Sequence, residues 1–221
     1  MLRLKTFALA TAFAALPLSG ALAQTSPVAV GAQIGTPGVG GEAQLKLNDS
    51  FVVRGDVDYL SFKHDEDWSG VEYDGKVKAK TGGAFADWHP GGGSFLVSAG
   101  AYFGQRKVDF SGQPSGPVDI GGQTFTAAQV GRINGRAKLS KAQPFAGVGW
   151  DNTFGGGAWG FRALAGVAFS KEPSVSLTSD GTLAADPAFQ ARLRQEEADI
   201  ADDAKNFKYY PVLQVGLTRR F

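Results

Sequence analysis

Residue types able to do chemistry are sparse in this chain, and their spacing argues against a reaction centre. The two histidines, His64 and His89, fall on separate segments, the first near the far end of a long strand and the second in a turn. A metal pair would require opposite ends of the fold to meet. Asp65, Glu66 and Asp67 form an acidic run but lack the Asp-x-Asp-x-Asp-Gly arrangement of a calcium loop, so they read as a solvated loop. The serines have no persuasive histidine and acid beside them. No Gly-x-Gly-x-x-Gly run opens a nucleotide-binding helix, and the absence of cysteine excludes disulfides and thiolate metal sites. No catalytic, cofactor-binding or metal-ligating residue is assigned, and no cofactor is expected.

What the charged residues do offer is alternation. Phe51, Val53, Val57 and Tyr59 share one parity and Arg54, Asp56 and Asp58 the other. Val71, Tyr73, Val77 and Ala79 alternate with Glu72, Asp74, Lys76, Lys78 and Lys80, and Ile133, Ala137 and Leu139 with Arg132, Asn134, Arg136 and Lys138. Period two with apolar and charged faces is the pattern of strands between two different solvents. Read as apolar outside and charged inside, it gives an interior network of Lys46, Arg54, Asp56, Asp58, Glu72, Asp74, Lys76, Lys78, Lys80, Arg132, Arg136, Lys138 and Arg162.

Both ends of the chain suggest which solvents these are. Arg3 and Lys5, an apolar run from Phe7 to about Leu18, and Ala21-Leu22-Ala23 before Gln24 form a secretory leader over 1–23, leaving 24–221 as one domain. Removal of the leader turns the formal charge from +1 to −1, which gives a nucleic-acid partner no electrostatic support. The mature part has no apolar run long enough for a spanning helix, so a membrane protein of this composition must be a closed barrel without unpaired edges. Phe221 ends an alternating C-terminal strand and is expected to act as the assembly signal.

The expected fold is all-β: a closed antiparallel transmembrane β-barrel of ten strands, with eight as the alternative. The strands are read at 28–34, 38–47, 51–64, 71–88, 94–108, 122–139, 144–153, 158–169, 174–180 and 208–221. Short connections at 48–50, 89–92, 140–143 and 170–173 are expected on the periplasmic side, and longer loops at 65–70, 109–121 and 181–207 outside. Gly147, Gly149, Gly160 and Gly166 fall inside strands, where a narrow barrel needs room for long neighbours. The 181–207 segment carries a helix over 187–206, with Asp186 as N-cap and Pro187 at the first position. Its contact face is Phe189, Leu193, Ile200, Ala204 and Phe207, opposite an acidic set including Glu196, Glu197, Asp199, Asp202 and Asp203. That face could pack on its own barrel, meet a protein partner, or close over a transport path.

Pro144-Phe145-Ala146-Gly147-Val148-Gly149-Trp150, Trp159-Gly160-Phe161, 173–178 and Tyr210-Pro211-Val212-Leu213-Gln214-Val215-Gly216-Leu217 resemble a family of small proteobacterial outer-membrane β-barrels of largely uncharacterised function. Gly35-Thr36-Pro37-Gly38-Val39-Gly40-Gly41-Glu42 and Ala86-Asp87-Trp88-His89-Pro90 match it too. The resemblance implies a bacterial outer-membrane location, with membrane lipid and the barrel assembly machinery as partners. It also implies that a terminal aromatic residue such as Phe221 is recognised during assembly; Arg219 departs from the aromatic or apolar residue often found at that place. It brings no catalytic signature. A structural scaffold or surface interaction protein is the first functional expectation, a narrow channel for ions or small solutes the second, and an outer-membrane hydrolase the least favoured.

Overall fold

The computed structural model describes residues 26–68, 71–204 and 208–221. The leader at 1–23 and Phe207 lie outside the described residues. Twelve strands form in chain order: β1 (Val28–Gly35), β2 (Gly38–Lys46), β3 (Phe51–Trp68), β4 (Val71–Trp88), β5 (Phe95–Gln113), β6 (Val118–Ile120), β7 (Gln123–Phe125), β8 (Ile133–Lys138), β9 (Ala142–Asp151), β10 (Trp159–Phe169), β11 (Ser174–Ser179) and β12 (Tyr209–Arg220). Two α-helices, α1 (Ala127–Val130) and α2 (Pro187–Asp203), and a one-turn 3-10 helix at Pro90–Gly92 complete the described elements.

Eight strands close a ring, running β1-β2-β3-β4-β5-β9-β10-β12 and back to β1 through antiparallel ladders. Closure leaves no ring edge unpaired, the condition for strands in lipid. The outer surface is the reverse of a soluble protein's. Ile34, Val53, Val57, Val148, Leu213, Val215 and Leu217 are all exposed there. Phe51, Trp88, Phe95, Trp150 and Trp159 ring the belt at the end bearing the termini, and Tyr59, Phe103, Phe169 and Tyr209 at the other. On β10 the two girdles lie ten residues apart at Trp159 and Phe169. At ~3.3 Å per residue and a tilt of ~40°, that is about 25 Å, the height of a lipid-facing band.

The ring therefore has the alternative strand count, and the ten-strand expectation is corrected at two places. Residues 122–139, read as one spanning strand, break into β7, the one-turn helix α1 and β8. Thr126 caps α1 through a capping box with Gln129, which ends the extended run. The 174–180 strand forms as β11 but pairs with β8, not with the ring. β5 serves both parts: residues 95–103 pair with β9 inside the ring, and residues 107–112 pair with β8 above it.

The sides of the turns are corrected as well. The turns at 48–50 and 89–93 lie at the end bearing the termini, as expected, and the β9–β10 loop at 152–158 joins them. Segments 140–143 and 170–173 lie at the opposite rim, where the Ser170 hydroxyl accepts from Ser140 N and Lys171 N donates to the Ser140 hydroxyl. Ser140 is a break between two collinear strands, β8 and β9, and reverses nothing. Both termini and these turns mark the periplasmic end; the β3–β4 hairpin, β8, β11, α1 and α2 rise from the outer one.

That outer rim is lopsided. β1 and β2 turn back at once through Thr36 and Pro37, with Gly38 at φ 130°, where an added Cβ would stand 2.3 Å from Tyr59 O. Thr36 is tied to the last strand. Its hydroxyl donates to Pro211 O at 2.9 Å and accepts from Leu213 N at 3.1 Å, while the Tyr210 hydroxyl donates to Thr36 O. Across the ring, β3, β4 and β5 run on past the girdle as a wall, and β8 and β11 extend it.

Candidate functional site

The interior of the ring is filled in layers set by register. Arg54 stands beside Phe85 on β4, which stands beside Gly100 and Phe145 on β5 and β9. Arg54 is fully buried. Its Nε donates to Asp87 Oδ2 at 2.9 Å, Nη1 to Asp56 Oδ2 at 3.0 Å and Nη2 to Ser98 Oγ at 3.4 Å. Its guanidinium also lies 4.1 Å from the Phe85 ring centre. Arg162, fully buried on β10, donates from Nη2 to Glu42 Oε2 and Gln33 Oε1. Gln33 Nε2 then reaches Asp58 Oδ1 at 2.8 Å, and Gln44 Nε2 reaches Asp151 Oδ2 at 3.0 Å. Arg54 thus has an acceptor for each of its three nitrogens, the condition under which a buried charge is tolerated, whereas Arg162 Nε and Nη1 are buried without a partner.

A hydrophobic plug crosses the same lumen. Phe85, Tyr102 and Phe145 meet edge to face with centroids 4.9 to 5.6 Å apart, and Leu96, Leu164, Ala168 and Val212 close around them. Glycines supply the room. An added Cβ at Gly166 would stand 2.6 Å from the Phe145 ring, and one at Gly83 would stand 2.3 Å from the Phe85 ring. Above the plug, Arg106 lies 5.0 Å from the Tyr102 ring and 4.4 Å from Tyr210, and Nη1 donates to Gln143 Oε1.

Of the residues expected in the interior network, Arg54, Asp56, Asp58 and Arg162 are buried inside the ring. Lys46 stands at the periplasmic mouth, where it pairs with Asp49 at 2.8 Å; this ammonium holds the Asp49 carboxyl below the usual carboxylate range. Glu72 and Asp74 lie outside the described side chains. Lys76, Lys78 and Lys80 are corrected to the outer face. On β4 the buried residues Ala79, Thr81, Phe85 and Asp87 have odd numbers, and Lys80 stands beside Tyr59 with its ammonium 5.7 Å from that outward ring. The alternation misled because this part of β4 stands above the lipid, with water on its outside. Arg132, Arg136 and Lys138 are corrected to the outer unit, beyond the ring. Arg132 donates to Gln113 Oε1 and the half-exposed Arg136 pairs with Asp109.

Several members of the lumen went unread in the sequence: Gln33, Glu42, Gln44, Asp87, Ser98, Arg106, Gln143 and Asp151. A signal existed for two. Arg106 shares the parity of Tyr102 and Leu96 on β5, and Asp87 that of Phe85 on β4, so each stands among inward aromatics with its strand neighbours outward.

In the outer unit, α2 begins at Asp186, whose carboxylate accepts from Phe189 N at 2.9 Å, with Pro187 in the first turn. Phe189 and Leu193 are buried against Ile120, Phe125, Val130 and Leu177, and Ile200 packs at the edge of the same cluster. Ala204 is the C-cap residue. Glu196 accepts from Gly121 N and Glu197 from Leu177 N, so acidic residues of the helix pin it to the β6–β7 hairpin and to β11. His89 is buried in its turn with Nδ1 against Gly93 O at 2.9 Å, and Phe221 is exposed beside Arg219 at the periplasmic girdle.

No protein-family model and no curated protein sequence matches the chain. Solved structures do. The chain is similar to the outer-membrane protein CarO of Acinetobacter baumannii, with a TM-score of 0.61 and 23% identity over 88% of this chain and 98% of that one. It is similar to CarO2 of the same organism with a TM-score of 0.62 and 23% identity, over 89% and 99% of the two chains. The likeness is one of fold, and the shared fold is the bacterial outer-membrane β-barrel.

Proposed function

We propose that this outer-membrane barrel is a closed scaffold that carries its outer unit as an interaction surface, and that it is not an open pore. The observation behind this reading is the lumen itself. Two buried arginines are held by carboxylates, and three aromatic rings cross the bore beside them. An eight-stranded barrel is just wide enough for side chains to fill it. The outer unit fits the surface role because α2 lies against its own sheet extension and leaves its remaining acidic face to the exterior.

A narrow polar path is the second reading, and one observation favours it. Above the plug, Arg106 Nε and Nη2 and Asp58 Oδ2 are buried without hydrogen-bond partners. A solute path would want polar atoms of this kind. Planar-bilayer recording on the purified, heat-modifiable protein separates the two. The scaffold reading expects no unitary current from the wild type, and new current when Phe85 and Phe145 are both changed to alanine. Steady single-channel steps from the unaltered protein would overturn it.

A further inference from the structure

The wall formed by β3, β4, β5 and β8 carries on its outer face an ordered array of lysines with no assigned role. Register places Lys78 directly beside Lys107, and Lys107 directly beside Lys138. One row higher, Lys63 stands beside Lys76, which stands beside Asp109, with Arg136 next along. One row lower is Lys80, over the ring of Tyr59 in the outer aromatic girdle. Within these rows the one carboxylate is Asp109, which Arg136 takes, and the next row up brings Asp65 beside Asp74. Among the described residues, none of the six lysines forms an ion pair.

Like charges directly opposite on neighbouring strands oppose folding. Three in one row make sense where a polyanion completes the surface. The height of the rows says which polyanion. At ~3.3 Å per residue and a tilt of ~40°, the Lys78 and Lys76 rows lie about 5 and 10 Å above Tyr59, the depth of lipid head groups beside an aromatic belt. Lys63, Lys76, Asp109 and Arg136 also line a cavity of about 350 Å³ on this side, so the charges surround a concavity. The opposite side of the ring turns back at Thr36 and Pro37 and offers no such wall.

We propose that this face binds the phosphorylated head group of an outer-leaflet glycolipid, its phosphates set against the Lys78, Lys107 and Lys138 row. The acyl chains then lie along the apolar belt below, where Tyr59 and Phe103 are exposed. The proposal rests on the outer-membrane reading of the barrel, and heat-modifiable mobility of each sample tests that reading separately.

The experiment uses the folded mature protein in neutral detergent and measures binding of bisphosphorylated lipid A, of the same lipid with both phosphates removed, and of inorganic phosphate. The wild type is expected to bind the bisphosphorylated lipid at least about tenfold more tightly than the dephosphorylated one, with the difference shrinking as salt rises. The combined variant K78Q/K107Q/K138Q should lose about tenfold or more of that affinity while keeping its heat-modifiable mobility. Equal binding of the two lipids by the wild type would overturn the proposal, whatever the variant does. So would undiminished binding by a folded variant. Displacement of the lipid by equimolar inorganic phosphate would also overturn it, because the face would then be a free-phosphate site. A wild type lacking heat-modifiable mobility would count against the barrel reading.

Discussion

Two arginine–aspartate pairs sit at different heights in the same wall and show how far solvent decides the worth of an ion pair. Arg54 and its partners Asp87 and Asp56 are inside the ring, with side chains at most 1% exposed. Arg136 and Asp109 are in the outer unit, with side chains 50% and 27% exposed. The residue types are the same. In the lumen, loss of the cation strands two carboxylates away from water. In the outer unit, water takes over the role of the missing partner. The ring is therefore held in part by buried ion pairs, even though Asp56 Oδ1 and Arg162 Nε and Nη1 lack hydrogen-bond partners, and the outer half by the apolar cluster beneath α2.

The largest effect is expected where this contrast is sharpest. Arg54→Ala should lower the stability of the folded barrel by about 3 to 5 kcal/mol, the range for breaking a buried pair by removing one partner. Urea denaturation followed by the heat-modifiable band measures it. A loss of less than about 1 kcal/mol would mean that water reaches Asp56 and Asp87, and would favour the hydrated-path reading.

An intermediate and local effect is expected at α2. Leu193→Asp combined with Ile200→Asp puts carboxylates into the cluster of Ile120, Phe125, Val130 and Phe189. Loss of the buried Leu193 side chain alone costs about 2 to 5 kcal/mol locally, before the charges are counted. Protease cleavage within 187–204 should rise by tenfold or more, while the mobility of the barrel band stays as it was. Loss of both together would mean that the ring depends on its outer unit.

These two regions also differ in how much of them could be read from sequence. Within the lipid belt, alternation has one meaning, because apolar residues must face lipid and the rest must face in; β1, β2, β3, β10 and β12 lie close to where the pattern puts them. Even the eight-residue β1, short for a spanning strand, belongs to the ring. Above the belt both faces are wet, and the rule loses its sign. That is why Lys76 and Lys78 were read inward, and why β8 and β11, with a true strand pattern, were counted into a ring they do not join. Two lumen members stayed hidden for local reasons: Glu42 lies among glycines and an alanine, where no apolar partner marks the alternation, and Gln143 falls in the 140–143 segment whose composition reads as a turn. The placing of Phe189 and Leu193 was legible because a capped helix with a 3.6-residue stripe needs no knowledge of the rest of the fold. What the stripe would meet was not, because β11 and the β6–β7 hairpin come together with it only in three dimensions.

The smallest expected effect sharpens the comparison most. Arg136→Ala removes a guanidinium hydrogen-bonded to Asp109, as Arg54→Ala removes one bonded to Asp87. Because its side chain is half exposed, the pair should contribute no more than about 1 kcal/mol, and less as salt is raised. A double-mutant cycle with Asp109→Asn isolates the coupling from the loss of packing along the arginine stem. Coupling of about 0.5 kcal/mol that fades between low and high salt would fit a solvated pair. Coupling of 3 kcal/mol or more, insensitive to salt, would make the outer pair behave like the lumen pair. The division of the molecule into a charge-held ring and an apolar outer unit would then fail.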